Sequence, residues 1–147
     1  MHTPLMYVIP KSEEFMPGYA HPHDAGFDLR LCSEGTLYLE PGKVYKVSTG
    51  LRVEVPRNHV GFVTPRSGLA CRGVTVINAP GTVDAGYQGP LDVLLINHSS
   101  EGVKIEPLDR IAQLVIVPMV QPQVVPVTEF PHPTSRSTSG FGSTGMK

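Results

Sequence analysis

Residues 51–55 read LRVEV. Leu51, Val53 and Val55 fall on one side of an extended chain and Arg52 and Glu54 on the other, which is the period-two signature of a strand with one buried face. VKIE at 103–106 alternates in the same way. LDVLLIN (91–97) and IAQLVIV (111–117) are apolar on both faces instead. That pattern suits strands held between two layers or buried at a subunit contact. Further strands are predicted at MYVI (6–9), TLYLE (36–40), KVYKVST (43–49), VGFVTP (60–65), GVTVI (73–77) and VVPVTEF (124–130), with turn signals such as EPG, VPRN and APG between them. Fifteen Gly and fifteen Pro are spread along the chain, and no window keeps a helical apolar stripe for three turns. The single helical candidate is SGLACR, 67–72. Many short strands at this spacing predict an all-β fold, an antiparallel sandwich or jelly roll.

The totals set bounds. A chain of 147 residues is one ordinary domain, able to bury about two thirds of its unfolded surface without disulfides or metal. The formal charge of -1 lacks the broad basic footprint of a protein that grips nucleic acid or an anionic membrane, so any positive site is local. Cys32 and Cys71 are too few for a disulfide framework and lack metal-ligand spacing, and are expected to be small packing residues in a reducing compartment. No apolar run is long enough to span a bilayer and MHTPLMYVIPKSEE has no signal-peptide pattern, so the expectation is a soluble, cytoplasmic protein.

Several stretches break the β pattern. In AGFDL (25–29), Asp28 stands among apolar neighbours at the start of a strand, either as a turn acceptor or as a site carboxylate. In PRSGLA (65–70), Pro65 ends a strand and Ser67 and Gly68 open a short turn beside Arg66, either an ordinary helix cap or a phosphate cradle. NAPGTVDAGYQG (78–89) reads as a long irregular loop holding Asn78, Asp84 and Tyr87, with Gly81, Gly86 and Gly89 permitting tight or left-handed backbone. An Asn amide donates and accepts at once, as reading a base edge requires, and an isolated Asp can orient or deprotonate a water. Gln113 is an amide within apolar IAQLVIV, and a buried amide needs a ligand, a water or a neighbour. His21 and His23 in AHPHD read as a solvated loop. Beyond Phe130 the composition turns to Pro, Ser, Thr and Gly, and SRSTSGFGSTG (135–145) has too little apolar surface to hold itself down. Such a tail is either a frayed end or an arm that orders over a ligand. GSTGMK is no P-loop, because Lys147 ends the chain and the spacing fails.

The order AGFDL, PRSG, GTVDAGYQG, DRIAQL and GFGSTG, from about residue 24 to 145, resembles the five motifs of the trimeric dUTPase family. The resemblance implies hydrolysis of dUTP to dUMP and pyrophosphate by water attack on the α-phosphorus, which keeps uracil out of DNA and supplies dUMP for thymidylate synthesis. It implies a β-clip or jelly-roll-like barrel over 1–130, a flexible arm over 131–147 that closes over a neighbouring subunit's site, and a homotrimer with shared active sites. Asp84 matches the carboxylate that orients the attacking water, and Gln113 a group on the α-phosphate or that water. Arg66, Ser67 and Gly68 match phosphate-binding positions. Asn78, Thr82 and Val83 match positions that read uracil, and Tyr87 one that packs under the deoxyribose. Phe141 would stack on the base, worth about 1 to 3 kcal/mol, while Arg136, Gly142 and Ser143 would meet the γ-phosphate. Mg²⁺ would come chelated by the triphosphate, with Asp28 touching it through water. Phe27, where relatives often carry Tyr, and Ser137 after Arg136, where they carry Gly, are departures. A dCTP deaminase would share the fold but needs an additional carboxylate beside the base, and no Glu stands in NAPGTVDAGYQG. A non-catalytic nucleotide-binding module would have no use for a water-orienting Asp84.

Overall fold

The computed structural model describes residues 3–141 and 143–145, and alternation of buried and exposed residues organises these described residues into ten strands. The strands are β1 (Tyr7–Pro10), β2 (Gly26–Arg30), β3 (Leu37–Leu39), β4 (Val44–Glu54), β5 (His59–Thr64), β6 (Val74–Val76), β7 (Gly81–Asp84), β8 (Pro90–Asn97), β9 (Val103–Ile105) and β10 (Arg110–Pro118). Every pairing is antiparallel, in one sheet of order β1-β4-β8-β6, a second of order β2-β10-β5-β7, and a two-stranded ribbon β3-β9. Leu29 and Leu114 of the second sheet, Val53 and Leu95 of the first, and Leu39 and Ile105 of the ribbon are all buried in a single apolar cluster. This is the expected all-β, jelly-roll-like architecture, with two sheets closing over one core.

LRVEV behaves as its pattern dictates, with Leu51, Val53 and Val55 buried. It is the second half of β4, not a strand of its own. KVYKVST and LRVEV run on as one strand whose register against β8 shifts between Ser48 and Leu51. Gly50 makes that shift possible: its φ is +69°, in the left-handed region, and a Cβ there would lie 3.0 Å from the Phe15 ring. A glycine at such a bulge avoids both penalties.

The structure departs from the pattern-based expectations at several places. Residues 81–84 of the supposed irregular loop form β7, which pairs with β5 from Val60 opposite Asp84 to Val63 opposite Gly81. None of Gly81, Gly86 and Gly89 has positive φ. Residues 124–130 form no strand, although their valines favour one. Pro126 removes a donor that a ladder needs, and Pro122 precedes the segment; just after β10, Met119 N–H donates to the Asn58 carbonyl at 2.9 Å. Val120, Val124 and Phe130 are exposed. In β8 and β10 one face is buried, while Leu94, Val115 and Val117 on the other are only partly covered within this chain. SGLACR supplies one four-residue helix, α1 (Ser67–Ala70), and a short 3₁₀ turn at Glu13–Phe15 carries no periodicity that would have announced it. Both cysteines are free, but Cys71 is exposed at the end of α1 instead of packed. Among the described residues no helix is long and apolar enough to cross a membrane.

Replacing Gly50 with Ala should lower the unfolding free energy by about 1 to 3 kcal/mol, the cost of holding a non-glycine residue in that backbone region. Gly86→Ala, in open space, should change it by less than about 0.5 kcal/mol. Urea denaturation of the two variants beside the parent checks the contrast.

Candidate active site

The second sheet gathers one group of polar residues through its register. β10 runs between β2 and β5, and Gln113 on it lies opposite Asp28 on β2 and Thr64 on β5. Pro65 ends β5 and the chain turns into α1, so Arg66, Ser67 and Gly68 leave the sheet beside Gln113. The Gln113 Nε2 donates to the Pro65 carbonyl at 3.2 Å. Gly26 leaves room for this amide, since a Cβ there would lie 2.9 Å from Gln113 Oε1. Gln113 is half-buried, not fully enclosed, and faces an open cleft of 370 Å³ together with Asp28, Arg66, Ser67 and Gly68.

Asp28 is held by two cations. Arg66 Nε lies 2.8 Å from its Oδ1 and Arg110 Nε 3.3 Å from its Oδ2. Asp28 is thus the shared counter-ion of two guanidiniums. At PRSG, Arg66 occupies the N-cap position of α1 and no side chain caps that helix. His21, on the rim of the same cleft, keeps its own partner, its backbone N–H donating to Asp24 Oδ2 at 2.8 Å. Among the described residues no three His, Cys, Asp or Glu side chains converge as a metal-ligand set.

The other group surrounds β7. In GTVD, Gly81 and Val83 are buried while Thr82 and Asp84 face outward, so pairing with β5 presents the Asp84 carboxylate at the strand's end. Tyr87 donates from its hydroxyl to the Pro90 carbonyl at 2.7 Å, and its N–H binds the Asp84 carbonyl at 3.0 Å. Its ring lies over Gly89, where a Cβ would stand 2.5 Å from Tyr87 Oη. The exposed Asn78 amide lies beside Gly81. Asn78, Thr82, Val83, Asp84 and Tyr87 line a cleft of 340 Å³ whose far wall includes Lys46 and Asp92, an ion pair at 3.2 Å.

The sequence-predicted residues therefore fall into two clefts with no lining residue in common. The tail residues join neither. Phe141 is fully exposed, and Arg136 bonds locally, its Nε donating to the Ser139 carbonyl at 3.0 Å. Ser143 N–H reaches the Gly140 carbonyl, and Gly142 lies outside the described residues. Four polar residues of the clefts escaped the sequence reading: Arg110, Lys46, Asp92 and Asp24. Arg110 stands inside DRIAQL, but strict alternation would put it on the face opposite Gln113. Lys46 and Asp92 stand at the outward positions of their strands, where charge ordinarily means only solvent.

A dUTPase family model matches residues 13–145. Deoxyuridine 5'-triphosphate nucleotidohydrolases of Syntrophotalea carbinolica and Cutibacterium acnes are 45% and 48% identical, the first over 92% of both chains, the second over 90% of this chain and 87% of its own. A Staphylococcus bacteriophage 80alpha dUTPase solved with dUPNHPP superposes with a TM-score of 0.86 at 31% identity, over 97% of this chain and 99% of that one. A mutant dUTPase from phage phi11, whose structure describes coordination of a structural Mg(II) ion, superposes at 0.76 with 29% identity, over 87% of this chain and 99% of that one. The coverage includes β2, α1, β7 and β10, the elements that build both clefts, and the chain belongs to the dUTPase family, the enzymes that hydrolyse dUTP to dUMP.

Proposed function

We propose that dUTP is cleaved in a composite site, with the cleft around Asp84 on one chain facing the cleft around Arg66 on the next in a homotrimer. The observation that carries this reading is the separation of the two residue groups on a single chain. A cyclic arrangement makes three equivalent sites from such complementary surfaces. The partly covered faces of β8 and β10 supply apolar surface for the contact between copies.

In this site Asn78 and the backbone at Thr82 and Val83 read the uracil edge, and Tyr87 packs under the deoxyribose, fixed by its bond to the Pro90 carbonyl. Asp84 accepts a proton from a water as the water oxygen bonds to the α-phosphorus. The bond from that phosphorus to the bridging oxygen breaks, releasing pyrophosphate and leaving dUMP. Arg66, Ser67 and Gly68 meet the phosphates and stabilise charge growing on the leaving group, while Gln113 steadies the α-phosphate or the water. Asp28 would reach a Mg²⁺ ion bound with the substrate, and such an ion would offset the charge of the triphosphate. A single carboxylate, Asp28, flanked by guanidiniums suits contact through the ion's water, not direct ligation. The arm then closes over a neighbouring subunit's site, Phe141 on the base, and Arg136, Ser143 and the backbone near Gly142 on the γ-phosphate. Exposure of Phe141 in the free chain leaves it available for that contact.

Asp84→Asn should slow pyrophosphate release from dUTP with magnesium at least a hundredfold, within the ~10² to 10⁴ range of a positioned base. Equal rates would remove the residue from its role. Mixing inactive Asp84→Asn and Arg66→Gln chains after co-refolding should restore about one quarter of the parent turnover, because one site in four then draws both groups intact from different chains. No recovery in mixed trimers would exclude sites shared in this way. Truncation after Pro133 should leave the trimer intact by light scattering and cripple turnover. Normal activity of the truncated form would make the tail a frayed end.

A further inference from the structure

The pairing of β10 with β2 contains an irregularity that re-aims one side chain. Gln113 pairs with Asp28 and Ala112 with Leu29, but Arg30 is met by Arg110, leaving Ile111 as an extra residue. Ile111 and Ala112 are consecutive and both buried. In an unbroken strand residues 110 and 113 would point to opposite faces. The bulge takes up one residue, so Arg110 emerges on the same side as Gln113, as bulges beside active sites commonly do.

Resting on the composite-site reading above, we infer that Arg110 is a positioning residue, which fixes Asp28 and through it the guanidinium of Arg66. Its side chain holds Asp28 Oδ2 at 3.3 Å, while Arg66 Nε holds Oδ1 at 2.8 Å. Its main chain acts as well, since the Arg110 carbonyl accepts a hydrogen bond from Arg66 Nη1 at 3.3 Å. The three residues form a closed ring in which each touches the other two. A carboxylate on a strand has free rotation about its side-chain bonds, and one cation on one oxygen leaves much of it. Gripping both oxygens sets the carboxyl plane. Arg66 in turn is held at Nε and Nη1 and lines the cleft. Pre-arranged charge of this kind needs no reorganisation when substrate arrives.

The test is a double-mutant cycle in the full-length protein with Arg110→Gln, Asp28→Asn and the pair. Arg110→Gln should lower kcat on the order of 10- to 100-fold, as for partners that orient a functional carboxylate. It should also raise the magnesium concentration needed for half-activation, which a purely structural defect would not move. The double variant should be no slower than the worse single variant, because both act through one contact. Losses that multiply, or an Arg110→Gln enzyme indistinguishable from the parent, would overturn the assignment. Arg110→Lys, which keeps one cation near Oδ2, should recover part of the loss. If the parent protein leaves dUTP intact, the composite-site reading fails by itself. The ring is then read in thermal unfolding of the ligand-free proteins, where coupled changes in Tm support it and additive ones, zero included, overturn it.

Discussion

The register of β10 between β2 and β5 is the constraint on which the cleft around Asp28 and Arg66 depends. Gln113 is placed against Asp28 on one side and Thr64 on the other, and Arg66 follows two residues after Thr64. Core packing enforces this register. Leu114 is fully buried opposite Phe27 and Val63, themselves buried, and a slip by one residue would turn Leu114 out to solvent and Gln113 into the core. The apolar core and the polar cleft thus share one specification. Burial stabilises the register, and the register assembles the chemistry.

The same sheet also explains why the residues around Asp84 lie apart. β7 pairs with the other side of β5, so the sheet order β2-β10-β5-β7 has Asp28 at one edge strand and Asp84 at the other. Two edges of one sheet do not converge on a common point. A nucleotide triphosphate, with a base at one end and anionic oxygens at the other, needs donors for both ends. Under the proposed mechanism association of copies brings opposite edges together, which lets a chain of 147 residues serve a ligand that neither edge could hold alone.

Alternation in LRVEV, VKIE and VGFVT made most strands legible, because one buried face leaves a period of two in the sequence. β7 was hidden: GTVD has the same alternation, but four residues flanked by Gly and Pro look like a turn. Residues 124–130 misled in the opposite direction. Their valines carry strand propensity, yet propensity forms no strand without a pairing partner, and this segment pairs with none of the described strands. Asp28, Arg66, Asn78, Asp84 and Gln113 were visible as polar residues at odds with their apolar surroundings. Arg110 was not, because its orientation depends on a bulge created by pairing with β2, a tertiary fact that alternation along β10 cannot encode.

The charge balance of the cleft around Asp28 follows the same logic. With a formal net charge of -1 the protein offers no long-range attraction to an anion, so under the proposed mechanism selectivity for phosphate comes from arrangement at short range. Arg66 and Arg110 share Asp28 as an internal counter-ion. The carboxylate prevents two neighbouring guanidiniums from splaying apart in the free protein. All three groups retain some exposure, so solvent screens their attraction and the ion pairs make a modest though measurable contribution to stability. A triphosphate offers guanidinium groups charge-assisted, bidentate contacts that are stronger than such screened pairs. Asp28 can therefore keep the arginines in place without withholding them from the substrate, and an apolar replacement of equal volume would remove the restraint along with the charge.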